Sequence, residues 1–159
     1  MGREIERKFL VANDGWRAGA SKGIRCVQGY FTTNPSCSIR VRIAGRKADL
    51  NIKSATLGIY RAEYNYRIPV RDAEEMLEQL CTKPLIVKTR YRVRQGRHLW
   101  EIDVFAGANE GLVVAELELD SIEETFTRPG WAGKEVSYDP RYYNVCLVEH
   151  PFSSWPEHK

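Results

Sequence analysis

Hydrophobic and polar residues alternate with a period of two along much of this chain. In the first such segment, residues 4–11, the side chains of Glu4, Glu6 and Lys8 fall on one face of a β-strand, because successive strand side chains point in opposite directions. The other face is largely apolar. A strand of this kind would suit the wall of a polar cavity, with its apolar face buried on the outside.

The same alternation predicts seven more strands. They are expected at residues 24–32, 38–43, 50–53, 61–68, 86–94, 99–105 and 113–119. Short connections, such as the turns expected at 34–36 and at Gln95-Gly96, make most of them antiparallel neighbours. Closing such a sheet into a barrel would remove its exposed edges.

Two helices are also predicted. Asp72 and Glu75 form a capping box, which is typical of a helix start, and apolar residues at helical spacing follow. Pro140 is expected at the first position of a second helix, which ends near Glu149.

Composition limits the class of protein. The chain has 159 residues, of which 43% are hydrophobic, which is enough for a sizeable core. We therefore predict one domain over residues 1–150 and a loose polar tail over residues 151–159.

The net charge of +3 is too small to point to nucleic acid as a partner. Without an apolar run of membrane-spanning length or a basic-then-apolar leader, a cytoplasmic location and no membrane partner are expected.

Several common sites have no motif in the sequence. The four cysteines show no Cys-x-x-Cys spacing, which indicates free thiols rather than a disulfide framework. The three histidines do not form a zinc-type pattern. A glycine-rich dinucleotide motif and a P-loop are absent as well.

The charged strand positions are segregated by sign. Acidic residues lie on the first and last strands, namely Glu4, Glu6, Glu101, Asp103, Glu116 and Glu118. Basic residues lie on the middle strands, namely Arg40, Arg42, Lys53, Lys88, Arg90 and Arg92. Any one strand could simply turn its charges to solvent, but this segregation favours a shared charged interior.

Each group of charges suits a particular ligand. Paired carboxylates offer the oxygen ligands that Mg²⁺ or Mn²⁺ prefer. Paired guanidinium groups bind phosphate oxygens in bidentate fashion, and lysines add point charge. Because buried like charges need counter-ions, a metal ion bound to a nucleotide or polyphosphate would satisfy both groups.

At this point the residues resemble a known family. Glu4-x-Glu6-x-Lys8 resembles the signature of the CYTH domain, also called the triphosphate tunnel metalloenzymes. Further matches follow in the family's order: Arg40-x-Arg42, Asn51-Ile52-Lys53-Ser54, Gly58-x-x-Arg61-x-Glu63-Tyr64, Lys88-Thr89-Arg90-Tyr91, Glu101-x-Asp103, Glu116-x-Glu118, Gly133-Lys134-Glu135-Val136 and Asp139-x-Arg141-Tyr142-x-Asn144. The resemblance covers residues 4 to about 147. Arg3 stands where the fuller signature has histidine, which favours the short bacterial-type triphosphatase over the mammalian type.

The resemblance implies an α+β fold, an eight-stranded antiparallel barrel that forms a tunnel with helices packed outside. It implies that divalent metals bind to Glu4, Glu6, Glu116 and Glu118, with Asp103 as a helper. It implies that triphosphate binds to Lys8, Arg40, Arg42, Lys53, Lys88 and Arg90, joined by Arg61. Lys134 and the final helix would close the tunnel mouth.

The expected reaction is metal-assisted hydrolysis of a small-molecule triphosphate, first of all inorganic triphosphate. A metal-activated water would attack the terminal phosphorus in line. Glu4 or Glu6 would orient that water, and Lys8 would stabilise charge on the bridging or leaving oxygen.

Alternatives remain open at this point. The same tunnel could serve a thiamine or nucleoside triphosphatase, or an adenylate cyclase that converts ATP to cyclic AMP and diphosphate. A non-catalytic polyphosphate or RNA binder is a further alternative, although Tyr64, Tyr66, Tyr91 and Trp100 alternate away from the charged positions. Apolar outer strand faces could also pair two chains into a homodimer.

Overall fold

The computed structural model describes residues 2–31, 37–54 and 59–156. Within these ranges the chain forms nine strands: β1 (Gly2–Val11), β2 (Ile24–Tyr30), β3 (Cys37–Ala44), β4 (Lys47–Ser54), β5 (Tyr60–Ile68), β6 (Ile86–Gln95), β7 (His98–Phe105), β8 (Val113–Glu118) and β9 (Ala132–Glu135). The turn predicted at 34–36 and Gly58 of the quoted motif lie outside the described residues.

Strands β1 to β8 form a closed antiparallel barrel. Their order is β5-β4-β3-β2-β6-β7-β8-β1, and β1 closes the ring by pairing with β5. The predicted eight-stranded antiparallel barrel is therefore confirmed. The sequence did not predict β9, which is short and pairs with β1 at Phe9 and Val11, beyond the residues that pair with β5.

The apolar outer faces of the strands are covered by other parts of the chain. Helix α1 (Val70–Gln79) packs Ala73 and Leu77 against the outer face of β3 and β4. A second cluster contains Trp100 of β7, whose ring meets that of Trp131 edge-on at a centroid distance of 5.3 Å. Because the outside of the barrel holds the apolar packing, the inside is left for polar side chains.

The helix boundaries differ in part from the predictions. Helix α1 begins at Val70 with Pro69 at its N-cap and without a side-chain capping bond, so the predicted capping box was wrong. Asp72 instead lies in the first turn, where its charge suits the positive end of the helix dipole. At the second helix, Pro140 does begin a turn of 3₁₀-helix, but the backbone becomes extended at Tyr143 before helix α2 (Asn144–Glu149).

A third apolar cluster closes one end of the barrel. Tyr30, Ile86, Phe105 and Val114 lie at strand ends on the inner face, and they pack with residues of α2 and of the segment that follows it. In that segment Phe152 and Trp155 are buried, and the indole nitrogen of Trp155 donates to the carbonyl of His150 at 3.0 Å. Residues 151–156 are thus not the loose tail that was expected, because they carry two aromatic side chains that fill the end of the bore.

None of the helices in the described part of the chain is long and apolar enough to cross a membrane.

The buried end cluster leads to a stability prediction. Trp155→Ala should lower the free energy of unfolding by about 3 kcal/mol, because it leaves a cavity among packed aromatic rings. Urea denaturation followed by circular dichroism measures this. Leu80→Ala is the control, since Leu80 is 62% exposed and its loss should cost under about 0.5 kcal/mol. Equal effects of the two variants would contradict the packed end.

Candidate active site

The inward-facing side chains of the barrel line a cavity of about 290 Å³. Eleven of the predicted site residues line it: Glu4, Glu6, Lys8, Arg40, Arg42, Lys53, Arg61, Lys88, Arg90, Glu116 and Glu118. They come from six strands, and each reaches the cavity because alternate side chains of its strand point inward. The structure therefore brings together residues that lie up to 114 positions apart in sequence.

Two predicted site residues do not line the cavity. Lys134 is exposed on β9, outside the ring of eight strands, and its assignment to the tunnel mouth stays a prediction. Asp103 points inward but is fully buried behind the cavity wall. Both of its carboxylate oxygens contact cationic side chains, so it is their counter-ion, and its role as a helper in metal binding stays a prediction.

The buried counter-ion pairs around Asp103 form the base of the cavity wall. Arg90 donates to Asp103 through Nε at 2.7 Å and through Nη2 at 2.9 Å, and the Nζ atom of Lys88 lies 2.8 Å from the same carboxylate. Burial opposes the charge of Asp103, but Arg90 and Lys88 outweigh it and lower its pKa. Arg90 also contacts Glu116 at 2.7 Å and Glu101 at 3.2 Å, so three carboxylates hold its guanidinium in place.

A cluster of carboxylates lies where β1 and β8 pair, with Glu6 opposite Glu118 and Lys8 opposite Glu116. Two members have cationic partners: Glu4 lies 2.9 Å from Nζ of Lys53, and Glu116 lies 3.3 Å from Nζ of Lys8. Burial opposes ionisation of both, but the pKa of Glu4 is lowered by Lys53 and that of Glu116 is lowered well below its ordinary value by Lys8 and Arg90.

The other two carboxylates lack this compensation. The pKa of Glu6 is raised well above its ordinary value by burial and by the charges of Glu116 and Glu4. The pKa of Glu118 is also raised, by burial and by Glu4. Ionisation of Glu6 and Glu118 is thus disfavoured where the four carboxylates crowd together.

The donor set of this cluster fits a hard divalent cation. Four carboxylates supply only oxygen ligands, and a cation among them would remove the repulsion that raises the pKa of Glu6. Among the described residues no three acidic, histidine or cysteine side chains already surround a single point at ligand distance. Metal binding would therefore reorient some of these carboxylates.

On β3, Arg40 and Arg42 have hydrogen-bond donors to spare. Asp49 is their shared counter-ion, at 4.0 Å from Arg40 and 3.3 Å from Arg42. The buried Nε atoms of both arginines have no hydrogen-bond partner within the described part of the chain. Because two guanidinium groups share one carboxylate, an anion in the cavity would be favoured here.

Sequence reasoning missed several residues around the cavity. Asp49 was left out because the strand was predicted to begin at Leu50, whereas β4 begins at Lys47. Asn51 donates to Glu63 at 2.7 Å, and both line the cavity in alternation with predicted residues. Tyr143 lies under the guanidinium of Arg61 at 4.3 Å, a contact that no local pattern indicates.

The chain is similar to known proteins over nearly its whole length. The family model of the CYTH domain matches residues 2–143. The chain is 46% identical over 157 residues to an inorganic triphosphatase of Acetivibrio thermocellus, covering 99% of this chain and 100% of the relative. It is 38% identical over 150 residues to an inorganic triphosphatase of Nitrosomonas europaea, covering 91% and 96%. A crystal structure of an inorganic triphosphatase superposes with a TM-score of 0.66 at 36% identity, covering 93% of this chain and 95% of the other.

The counter-ion role of Asp103 can be tested by stability. Asp103→Asn should lower the free energy of unfolding by about 3 kcal/mol, because it leaves Lys88 and Arg90 short of a buried partner. Urea denaturation measures the change. Glu101→Gln removes a partly exposed partner of Arg90 and should cost under about 1 kcal/mol. A neutral effect of Asp103→Asn would show that this carboxylate does not hold the cations.

Proposed function

Because the chain belongs to the CYTH domain family, we propose that it is a divalent-metal-dependent hydrolase of inorganic triphosphate. Two relatives at 46% and 38% identity carry the name inorganic triphosphatase over nearly their whole length. The observation that carries the proposal is that spare carboxylates and spare cationic donors face each other in one cavity. A metal ion with a bound triphosphate would neutralise both.

The triphosphate binds on the cationic side of the cavity. Arg40 and Arg42 line this side with Asp49 as their shared counter-ion, and the remaining cations of the wall are Lys8, Lys53, Arg61 and Lys88. Arg90 lines the same wall, but three carboxylates already engage it, so it serves mainly to hold Glu116 and Asp103. Substrate would enter from the end opposite the apolar cluster around Phe105 and Trp155.

The metal binds on the carboxylate side, to Glu4, Glu6, Glu116 and Glu118. When bound, a divalent ion such as Mg²⁺ or Mn²⁺ would offset phosphate charge and lower the pKa of a water molecule. Binding would also favour the ionised form of Glu6, whose pKa is otherwise raised.

Hydrolysis then needs a positioned water and a stabilised leaving group. Glu4 or Glu6 orients the water for in-line attack on the terminal phosphorus, where a new P–O bond forms as the phosphoanhydride bond breaks. Lys8 lies 3.3 Å from Glu116, at the border of the carboxylate cluster, and it stabilises charge on the departing diphosphate oxygen. The products are phosphate and diphosphate.

Three further expectations stay predictions. They are a cytoplasmic location, the absence of nucleic-acid and membrane partners, and a homodimer. Tyr64 and Tyr66 on the outer face of β5 are 39% and 56% exposed, so this is the face where a second chain would be sought.

The activity itself is tested with a substrate panel. Purified protein should release phosphate from inorganic triphosphate with Mg²⁺ or Mn²⁺, lose this activity in EDTA and regain it on metal addition. Thiamine triphosphate and ATP are assayed in parallel, with cyclic AMP measured as a separate product. Cyclic AMP as the main product from ATP would support the cyclase alternative, and binding of triphosphate without turnover would support a non-catalytic binder.

The metal assignment is tested at Glu118. Glu118 has no ion-pair partner among the described residues, so Glu118→Gln should leave stability unchanged. It should raise the metal concentration needed for half-maximal activity at least about tenfold, because it removes a charged ligand. Glu110→Gln, on an exposed turn, is the matched control. An unchanged metal requirement would exclude Glu118 from the site.

A further inference from the structure

Residues Tyr142, Tyr143 and Asn144 lie at the break between the 3₁₀-helix and α2, and they end the last motif noted in the sequence. The proposed mechanism has given them no role. Each of the three contacts a cation of the proposed triphosphate site.

The three contacts differ in kind, and each involves a different cation of the cavity wall. The carbonyl of Tyr142 accepts from Nζ of Lys8 at 3.1 Å. The ring of Tyr143 lies 4.3 Å from the guanidinium of Arg61. The side-chain oxygen of Asn144 accepts from Nζ of Lys88 at 3.2 Å. The extended backbone at Tyr143 makes this possible, because it turns consecutive residues to different parts of the wall.

Among these contacts, the one at Lys88 constrains its cation most. Lys88 is 2% exposed, and its ammonium has three donors. Asp103 takes one donor at 2.8 Å and Asn144 takes a second at 3.2 Å. These two bonds fix the direction of the third donor, and both Lys88 and Asn144 line the cavity.

We propose that Asn144 is a positioning residue for triphosphate, which acts by holding the ammonium group of Lys88 toward the substrate. This inference rests on the proposed function. It adds a residue that lies just beyond the segment matched by the family model, which ends at residue 143.

The neutrality of Asn144 matters to this role. A carboxylate at the same position would give Lys88 a second anionic partner besides Asp103 and would repel the anion directly. An amide orients the ammonium group without adding negative charge to the cavity wall.

The test compares two substitutions that separate positioning from helix stability. Asn144→Leu removes the acceptor at similar volume. Asn144→Asp keeps the shape and adds a negative charge at the start of α2, where it favours the helix. If Asn144 only supports the helix, the Leu variant should lose stability but bind triphosphate like wild type.

We expect Asn144→Leu to lower kcat/KM for inorganic triphosphate about tenfold and to weaken its binding to a similar degree, as loss of a hydrogen bond to a charged group does. Asn144→Asp should weaken binding at least as much, while its melting temperature equals or exceeds that of wild type. Binding is measured by calorimetry with inorganic triphosphate, and Glu149→Gln at the exposed end of α2 is the control.

A double-mutant cycle identifies the partner. In a Lys88→Met background, Asn144→Leu should change triphosphate affinity less than about twofold, because the group that it positions is gone. A full additional loss in that background would overturn the proposal, as would wild-type affinity in Asn144→Asp. Should Lys88→Met fail to fold, Asn144→Leu alone still decides, because wild-type triphosphate affinity in that variant overturns the proposal.

Failure of the Asn144 proposal can be distinguished from failure of the proposed hydrolase function. Wild-type protein that binds inorganic triphosphate but does not hydrolyse it refutes the hydrolase assignment, while the affinities of the variants still test Asn144. Wild-type protein that neither binds nor hydrolyses it overturns both.

Discussion

Pairing of buried charges is the constraint on which this structure depends. Asp103 and Lys88 are almost completely removed from solvent, and neither could stay charged there without a partner at hydrogen-bond distance. Arg90 joins them to Glu116 and Glu101, so the charges of three neighbouring strands form one connected set. The barrel can keep a charged interior because its apolar packing lies outside, under α1 and around Trp100.

This set also explains why cations of the same wall have different roles. Arg90 is held by three carboxylates, and burial is outweighed by Asp103 and Glu116, which raise its pKa. Its donors are occupied before any substrate arrives. Arg40 and Arg42 share the carboxylate of Asp49, and among the described residues their buried Nε atoms have no hydrogen-bond partner. Cationic side chains that line the same cavity therefore differ in their capacity to bind an anion. A cation that already donates to several carboxylates of the protein has fewer donors left for a ligand.

The inner face of the barrel could be predicted from sequence because strand periodicity is local. Glu4, Glu6 and Lys8 needed only the alternation of β1 to be assigned to one face. Asp103 follows the same alternation on β7. Its burial, however, depends on contacts with Lys88 and Arg90 of the neighbouring strand β6, which a local sequence pattern does not predict. The contact of Asn144 with Lys88 spans 56 residues and depends on where the chain turns at Tyr143. The burial of Trp155 likewise depends on a space at the barrel end that several strands create together.

Acidic and basic groups lie on opposite sides of the cavity. On the β1–β8 side, burial and the charges of Glu116 and Glu4 raise the pKa of Glu6, and on the β3 side Arg40 and Arg42 share one carboxylate. Asp49 already pairs with Arg42, and Lys53 already pairs with Glu4. A lone cation would leave the arginines unpaired, and a lone anion would be repelled by the acids. A ligand that carries both a cation and anionic groups matches the two sides of the cavity, which is the basis of the proposed function.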